Sequence, residues 1–212
     1  MLPSRAMSRL MAMAYDRFMR ASERACLDAW RGELLAGLTG DVLEIGAGTG
    51  ANLPHYPPSV RRLVLTEADR FMRAKLEARV RASGRPDVEV REASADALPF
   101  ESGAFDAVVS TLVLCSVPDV ATTLAEVKRV LRPGGAFVYL EHVAADEGAP
   151  RLAWQRRLEP FWMRVAGNCH LTRRTGEAIR RAGFVVDEER RESMRKALPF
   201  VRPTVRGVAH AG

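Results

Sequence analysis

The sequence predicts an α/β fold built on a doubly wound, mostly parallel sheet of seven strands. From residue 41 onward, short runs of apolar and β-branched residues alternate with segments of helical periodicity. The run at 41–46 leads directly into a loop with glycines at alternating positions, and the run at 62–66 is followed by an acid. Such alternation is typical of parallel strands that are joined by right-handed helical crossovers.

The order of the elements follows from the same pattern. Strands are expected at 41–46, 62–66, 88–92, 105–112, 136–142 and 184–187, and a last strand, antiparallel to the others, near 203–209. Helices are expected at about 69–83, 119–131, 149–166 and 171–182. Residues 4–38 have the apolar spacing of one or two amphipathic helices. We therefore predict a helical cap or lid over 1–38 and one globular unit over 39–212.

Composition limits the class of protein. The chain has 212 residues and is 47% hydrophobic, which suits one domain with a sizeable core. The net charge of +6 comes from arginines scattered beside acids, with no basic run interleaved with aromatic residues, so no nucleic-acid partner is expected. The sequence contains no apolar segment of membrane-spanning length and no signal peptide. Its three distant cysteines lack metal-ligand spacing, so we expect a cytoplasmic protein without a metal.

The glycine loop after the first strand indicates a nucleotide-like ligand. Gly46, Gly48 and Gly50 let the backbone turn off the strand and approach a ligand closely. Glu44 precedes them, and no lysine or arginine follows until Arg61. An acidic strand disfavours the pyrophosphate of a dinucleotide and favours the amine and sulfonium of S-adenosylmethionine. We expect Glu44 to hold either the loop or that amine.

Other strand ends should meet this loop, because ligands of open α/β sheets bind beyond the carboxyl ends of the strands. Glu67 is placed to accept the ribose hydroxyls, although an acid there can also simply begin a helix. Ser94 and Asp96 can accept from the adenine amino group or merely cap a turn, and Thr111 can contact the methyl donor or pack in the core. The predicted cofactor-binding residues are Glu44, Gly46, Ala47, Gly48, Gly50, Asn52, Glu67, Ala68, Ser94, Ala95, Asp96, Thr111 and Leu112, with Tyr15 as part of the lid.

Three residues are candidates for the substrate side. His142 closes the fifth strand and can act as a base or an electrostatic guide. Cys169 and His170 follow the helix at 149–166 and form a second candidate pair. Each of the three also has a plain structural interpretation, as a polar strand end or a buried thiol. Nearby aromatic residues form either part of the core or the wall of an apolar acceptor pocket: Trp154, Phe161 and Trp162.

Several motifs resemble the alkyl-thiol S-methyltransferases within the class I S-adenosylmethionine-dependent methyltransferases. The specific ones are Thr-Leu-Val-Leu-Cys-Ser-Val at 111–117 and Cys-His-Leu-Thr-Arg at 169–173. Further similar segments lie at 130–137, 141–145, 154–155, 158–162 and 201–203, so that the resemblance spans about residues 41–208. It implies the Rossmann-like methyltransferase fold, S-adenosyl-L-methionine as cofactor and a small apolar thiol as acceptor.

Two departures from that family matter. The family usually has Asn where this chain has His170, which puts the acceptor in doubt, and Asp where this chain has Glu67, which preserves the carboxylate. Vertebrate members begin with a hydrophobic membrane anchor, whereas this chain begins with an amphipathic helix at 4–24. No transmembrane anchor is therefore expected, and at most this helix touches a membrane surface.

The leading hypothesis is an enzyme that methylates the sulfur of a small apolar thiol. A thiol has a pKa of about 8.5, so part of it is already the nucleophilic thiolate near neutral pH and a strong base is dispensable. The alternatives are O-, N- or C-methylation of a quinone, natural product or lipid headgroup, and a non-catalytic S-adenosylmethionine-binding protein. Nucleic-acid methylation is disfavoured because no Asn/Asp-Pro-Pro-aromatic motif follows the fourth strand.

Overall fold

The protein folds around a single seven-stranded sheet, as described by a computed structural model of residues 5–212, with side chains from residue 9. The strands lie in the order β3-β2-β1-β4-β5-β7-β6. Their bounds are β1 Gly40–Ile45, β2 Val60–Thr66, β3 Val88–Arg91, β4 Phe105–Thr111, β5 Leu131–His142, β6 Phe184–Ser193 and β7 Pro203–Ala211. The first five strands are parallel to one another, and β7 pairs antiparallel with both β5 and β6. The predicted fold class is confirmed.

The helices pack on this sheet and over its carboxyl edge. Their bounds are α1 Arg5–Ser22, α2 Asp28–Leu35, α3 Arg70–Ser83, α4 Val120–Val130, α5 Pro150–Val165 and α6 Thr175–Arg181. A π-helical turn at Glu23–Leu27 joins α1 to α2. Asp69 begins α3 by accepting the backbone N–H groups of Phe71 and Met72, and Gly84 ends it at a positive φ of 66°. Such end signals explain why this helix matches its prediction closely.

The helix predicted at 171–182 is wrong over its first four residues. Residues 171–174 are not helical, and α6 begins only at Thr175. The carbonyl of Arg173 accepts the backbone N–H of Ala144, while its guanidinium donates to the carbonyls of Leu114 and Val117. These long-range contacts satisfy the polar groups of Arg173 outside a helix, so helical propensity does not decide the conformation there.

The core explains the composition of β1. Leu43 and Ile45 face one apolar layer and Val42 the other, because successive side chains of a strand point to opposite faces. Both faces are covered from Val42 onward, so the strand is apolar over 42–45 except for Glu44, which is buried on the same face as Val42. The chain order reverses between β1 and β4, and the ends of these two strands define the switch point of the sheet.

Several large apolar side chains remain outside the core. Trp154 and Phe161 are 61% and 64% exposed on α5, so neither is part of a core or of an enclosed wall. Only Trp162 of the predicted aromatic cluster packs inward, edge-on against Phe200 at 5.1 Å between ring centroids. In the described part of the chain, no helix combines the length and the apolarity that a membrane crossing requires.

Candidate active site

In the glycine loop, the first glycine is packed against a side chain, whereas the second faces open space. Gly46 and Gly48 both have positive φ, 58° and 59°. A Cβ on Gly46 would lie 2.8 Å from the side chain of Val113, whereas a Cβ on Gly48 would meet no described atom within 4 Å. The backbone at Gly48 is therefore free for close approach by a ligand.

Glu67 connects this loop to the end of β2. Its Oε2 accepts the backbone N–H of Gly48 and its Oε1 accepts that of Asp69, each at 2.8 Å. Burial raises the pKa of Glu67, and the two backbone N–H donors oppose that rise. Each carboxylate oxygen keeps a second lone pair, so the group can still accept ribose hydroxyls.

Glu44 lies at the centre of a buried polar network. Its Oε2 accepts the Tyr56 hydroxyl at 2.7 Å and its Oε1 accepts Asn52 Nδ2 at 2.9 Å. Asn52 also donates to Thr111 Oγ1 at 2.8 Å and accepts from Arg31 Nη1 at 2.7 Å. Burial raises the pKa of Glu44 to about 7 against the hydrogen bond from Tyr56. Of the two roles expected for Glu44, the geometry supports holding the loop.

The N-terminal helices lie against the same loop. Asp16 of α1 accepts the Thr49 hydroxyl at 2.6 Å and pairs with Lys75 Nζ at 2.8 Å. Arg79 Nη2 lies 3.8 Å from Asp16, and its Cδ is near the position of a Cβ on Gly50. The sequence did not reveal these two cations beside the loop, because they come from α3. Asp16 neutralises part of their charge.

Tyr15 lies on α1, close to the same loop. Burial raises its pKa to about 12, and the groups that act on its hydroxyl include Arg31, Cys115 and Cys169. Helix α1 thus brings the Tyr15 hydroxyl close enough to two thiols from later in the chain for their charges to act on it. Its role as a cofactor contact stays a prediction.

The remaining predicted cofactor residues occupy the strand ends without forming one network. Leu112, directly after β4, has a positive φ of 59° and donates its N–H to the Leu140 carbonyl at 2.7 Å. A left-handed leucine is a strained conformation that the surroundings must impose, and such strain is common at ligand sites. Ser94 and Asp96 hydrogen-bond to each other beyond the end of β3, with Ala95 buried between them. Ala47 is also buried, and Ala68 is exposed.

A cluster of two cysteines and a histidine lies beyond the ends of β4 and β5. We call Cys115, His142 and Cys169 the Cys-His cluster; one ligand atom from each lies within 4.8 Å of the others. His142 Nδ1 is 3.6 Å from Cys169 Sγ. The structure thus unites two of the three predicted substrate-side residues. It places the third elsewhere, since His170 Nδ1 lies 3.2 Å from Glu159 Oε1.

The pKa values of the two thiols in the cluster are shifted in opposite directions. The interaction with Cys169 and burial raise the pKa of Cys115, while Cys115 and His142 lower the pKa of Cys169. The first negative charge of the pair therefore resides on Cys169. Buried Glu141 accepts the Ser110 hydroxyl at 2.7 Å and the Cys115 backbone N–H at 3.4 Å, which fixes the loop that carries Cys115.

Comparison with known proteins identifies the family. The family model described as "Methyltransferase domain" matches residues 43–139. Thiol S-methyltransferase TMT1B of Homo sapiens is 38% identical over 200 residues, covering 92% of this chain and 80% of the human protein. Thiol S-methyltransferase TMT1A of Homo sapiens is 36% identical over 170 residues, covering 79% and 69%. This chain belongs to the thiol S-methyltransferase family. It is a class I S-adenosylmethionine-dependent methyltransferase, as its motifs predict.

Solved structures agree on the fold of this methyltransferase. Geranyl diphosphate methyltransferase in complex with SAM superimposes with a TM-score of 0.71 at 16% identity, over 90% of this chain and 85% of the other. At that identity the likeness establishes the fold alone.

The cradle of the methyltransferase fits S-adenosylmethionine. The open backbone at Gly48 gives room for a ligand where a side chain would exclude one. The Glu67 carboxylate borders that space, and Glu44 adds a second acid behind the loop. This arrangement suits a nucleoside with a positive sulfonium better than one with a phosphate.

Sequence reasoning missed several residues that hold the site. Glu141 and Arg173 lie inside the motifs that carry the family resemblance, and this was the available signal. Asp16 and Arg31 act only through contacts with the glycine loop, and nothing in their local sequence indicates those contacts. Cys115 lies in the motif at 111–117, but the three cysteines are distant in sequence and lack metal-ligand spacing, so the Cys-His cluster was not anticipated.

Proposed function

We propose that this methyltransferase transfers the methyl group of S-adenosylmethionine to the sulfur of a small apolar thiol. The observation that carries the proposal is the identity to two human thiol S-methyltransferases over most of the chain. The Cys-His cluster supports it, because soft sulfur and imidazole groups lie beyond the strand ends where acceptors of open α/β sheets enter. O-, N- or C-methylation has no comparable support.

The proposed donor site is built on the glycine loop. Gly46, Gly48 and Gly50 would shape the cradle, Glu67 would accept the ribose hydroxyls, and the turn at 94–96 with Ala68 would border the adenine. Thr111 and Leu112 would line the reacting end, with Tyr15 above. When bound, S-adenosylmethionine supplies a methyl group that its sulfonium activates toward nucleophiles.

The proposed acceptor site is the Cys-His cluster. Cys169 and His142 would lie beside the acceptor's sulfur and take up its proton, which leaves the thiolate, the nucleophilic form. His170, held by Glu159 at 3.2 Å, would adjust which acceptors fit. Because thiolate and sulfonium lose charge together as they react, a water-poor cleft favours the step. Alignment of the two sulfurs would contribute most of the rate.

The N-terminal helices serve this purpose as a lid. We infer that residues 1–38 form a cap over one globular unit at 39–212. Asp16 and Arg31 anchor this cap to the glycine loop through Thr49 and Asn52. Opening of these contacts would admit the donor, and closure would exclude water.

The outer face of α1 supports a peripheral contact with a lipid surface. Leu10, Met13 and Phe18 are 58–66% exposed on this helix, interspersed with Arg9 and Arg17. Exposed apolar side chains beside cations are typical of interfacial helices that lie on anionic bilayers. A cytoplasmic location suits both this contact and the three free thiols.

The acceptor class can be tested directly. The purified enzyme is given methyl-labelled donor with a panel of thiols, phenols and quinones of similar size. We expect label in thioethers only. Methylated phenols or quinones together with inert thiols would refute the thiol assignment. Saturable donor binding without any turnover across the panel would point to a non-catalytic binding protein.

A further inference from the structure

We propose that Cys115, His142 and Cys169 form a Zn²⁺ site whose fourth position takes the acceptor's sulfur. Two cysteines and one histidine with one open position are a ligand set that catalytic zinc sites use. The first three ligands are supplied by the Cys-His cluster. The part of this inference that concerns the acceptor rests on the proposed function; the metal site itself does not.

The distances suit a tetrahedral ion. Zn–S and Zn–N bonds of about 2.3 and 2.0 Å place tetrahedral ligand atoms roughly 3.5–3.8 Å apart. His142 Nδ1 is 3.6 Å from Cys169 Sγ, and the three ligand atoms lie within 4.8 Å of one another. Only small side-chain rotations are needed to bring all three into coordination.

The three ligands are held by different parts of the fold. His142 ends β5 and is paired with Thr204 of β7. Cys115 is held at both ends of its peptide unit, since its N–H donates to Glu141 and its carbonyl accepts the N–H of His170 at 2.8 Å. The cluster is therefore preorganised, which lowers the entropic cost of binding an ion.

Charge also favours a divalent cation. Two thiolates carry a charge of −2, and burying it in this site would be costly without a counter-ion. Arg173 is partly buried near both thiols but donates to two backbone carbonyls. One Zn²⁺ would make the set neutral.

His142 would bind the ion through Nδ1, the ring nitrogen that faces Cys169 Sγ. Its Nε2 is buried and finds no hydrogen-bond partner within the described chain, so no protein contact there holds the ring in a tautomer that would prevent coordination.

Coordination would activate the acceptor. An entering thiol forms a Zn–S bond and loses its S–H proton to solvent, because a coordinating thiol is deprotonated. The sulfur then uses an electron pair to form an S–CH₃ bond, while the donor's C–S bond breaks and its pair stays on the donor sulfur. The products are a neutral thioether and S-adenosylhomocysteine. The thioether is a weaker ligand than a thiolate and leaves.

The test measures metal before activity. The full-length enzyme, purified under reducing conditions and equilibrated with Zn²⁺, is dialysed and analysed for zinc by elemental mass spectrometry. We expect about one zinc per chain in the wild type and a loss of at least tenfold in Cys115→Ser, Cys169→Ser and His142→Ala. Cys26→Ser is the matched control, because Cys26 is also a buried thiol but lies outside the cluster. Circular dichroism checks that each variant is folded.

Co²⁺ binding to the wild type provides a second test that does not depend on whether the variants fold. Binding to the wild type should give the thiolate-to-cobalt charge-transfer band and the visible bands of a tetrahedral ion. Adding an apolar thiol should shift the visible bands, and a phenol of the same size should not.

Each outcome bears on one of the two proposals. A wild type that retains no zinc and shows no thiolate–cobalt band overturns the metal site, even if it methylates thiols. Zinc that is retained equally in the three cluster variants overturns it as well. A cobalt spectrum that no thiol shifts overturns the fourth-position assignment. A bound metal with methylation of phenols alone refutes the proposed acceptor and leaves the metal site standing.

Discussion

Gly48 and Glu67 are joined by a hydrogen bond of 2.8 Å between the glycine N–H and the carboxylate Oε2. This bond couples the glycine loop after β1 to the end of β2, two segments that are 19 residues apart. The same carboxylate also accepts the N–H of Asp69 at the start of α3. One side chain thus sets the shape of the cradle and offers the acceptor for a ribose.

Glu67→Gln should therefore weaken donor binding. The amide has one acceptor oxygen instead of two, so either the Gly48 or the Asp69 N–H loses its partner, and ribose recognition is impaired as well. We expect the Kd for S-adenosylmethionine to rise about tenfold, which corresponds to about 1.4 kcal/mol. Isothermal titration calorimetry measures it. Glu77→Gln on α3 is the control and should bind as the wild type does; an unchanged Kd for Glu67→Gln would contradict the assignment.

Gly46→Ala and Gly48→Ala should separate folding from binding. Both positions have positive φ, so each alanine costs about 1–2 kcal/mol of backbone strain. At Gly46 the new methyl would also collide with Val113 at 2.8 Å, so we expect a further loss of stability there. At Gly48 it would enter the open cradle and abolish donor binding with a smaller loss of stability.

Thermal unfolding and calorimetric donor titration distinguish these two effects. Adding Val113→Ala to Gly46→Ala should recover part of the lost stability by removing the colliding methyl groups, and should recover nothing in the Gly48→Ala background. Equal donor affinity in Gly48→Ala and the wild type would show that the ligand does not approach this backbone.

Glu44 should make folding stability depend on pH. Burial raises its pKa from 4.5 to about 7, so the folded protein keeps a proton that the unfolded chain releases. Stability should therefore fall as the pH rises from about 4.5 to about 7 and then level off. Glu44→Gln removes this contribution and leaves those of other acids unchanged. Between pH 5 and pH 7.5, the unfolding free energy of the variant should increase relative to that of the wild type by roughly 2–3 kcal/mol.

Urea unfolding of the ligand-free protein at pH 5 and pH 7.5 provides the measurement. The pKa of Asp16 is lowered in the folded protein, so its contribution to stability is lost as the pH falls, opposite to that of Glu44. Asp16→Asn therefore serves as the contrasting variant. A variant-to-wild-type difference for Glu44→Gln that stays constant with pH would mean that Glu44 is ionised in the folded protein.

Asp16→Ala should loosen the lid. The change removes the acceptor for the Thr49 hydroxyl and the partner of Lys75. We expect S-adenosylmethionine to dissociate about five- to tenfold faster, because the contacts that hold α1 on the glycine loop are lost. Stopped-flow displacement measures the rate. Asp187→Ala is the control, since Asp187 pairs with His210 on β6 and β7, at the edge of the sheet away from α1. An unchanged dissociation rate would remove the support for a lid.

Phe18→Ser with Leu10→Ser should reduce binding to lipid. Both side chains are more than half exposed on α1, so their loss should cost little stability. We expect at least a tenfold lower partition onto vesicles that contain anionic lipid, measured by co-sedimentation. Val185→Ser is a matched control, because Val185 is 61% exposed on β6, away from this helix. Wild-type protein that stays in the supernatant would rule out the contact.

Local sequence patterns predicted most of the fold. The strands were found because buried parallel strands are continuous apolar runs, and α3 was bounded well because Asp69 and Gly84 are local end signals. The helix at 171–182 began too early in the prediction because Arg173 is fixed by Ala144, Leu114 and Val117, none of which is near it in sequence. The exposure of Trp154 and Phe161 was likewise invisible, since helical spacing alone does not say which face is covered.

The sequence by itself determined the cofactor cradle, because its glycines and acids sit next to strands whose carboxyl ends must meet at one edge of a parallel sheet. Only the tertiary structure decided the substrate side. Cys115, His142 and Cys169 are separated by 27 residues in each interval, and no local rule connects them. They meet because the ends of β4 and β5 and the segment after α5 lie side by side. The distances between their side-chain atoms decide the chemistry of this site, and only tertiary packing fixes those distances.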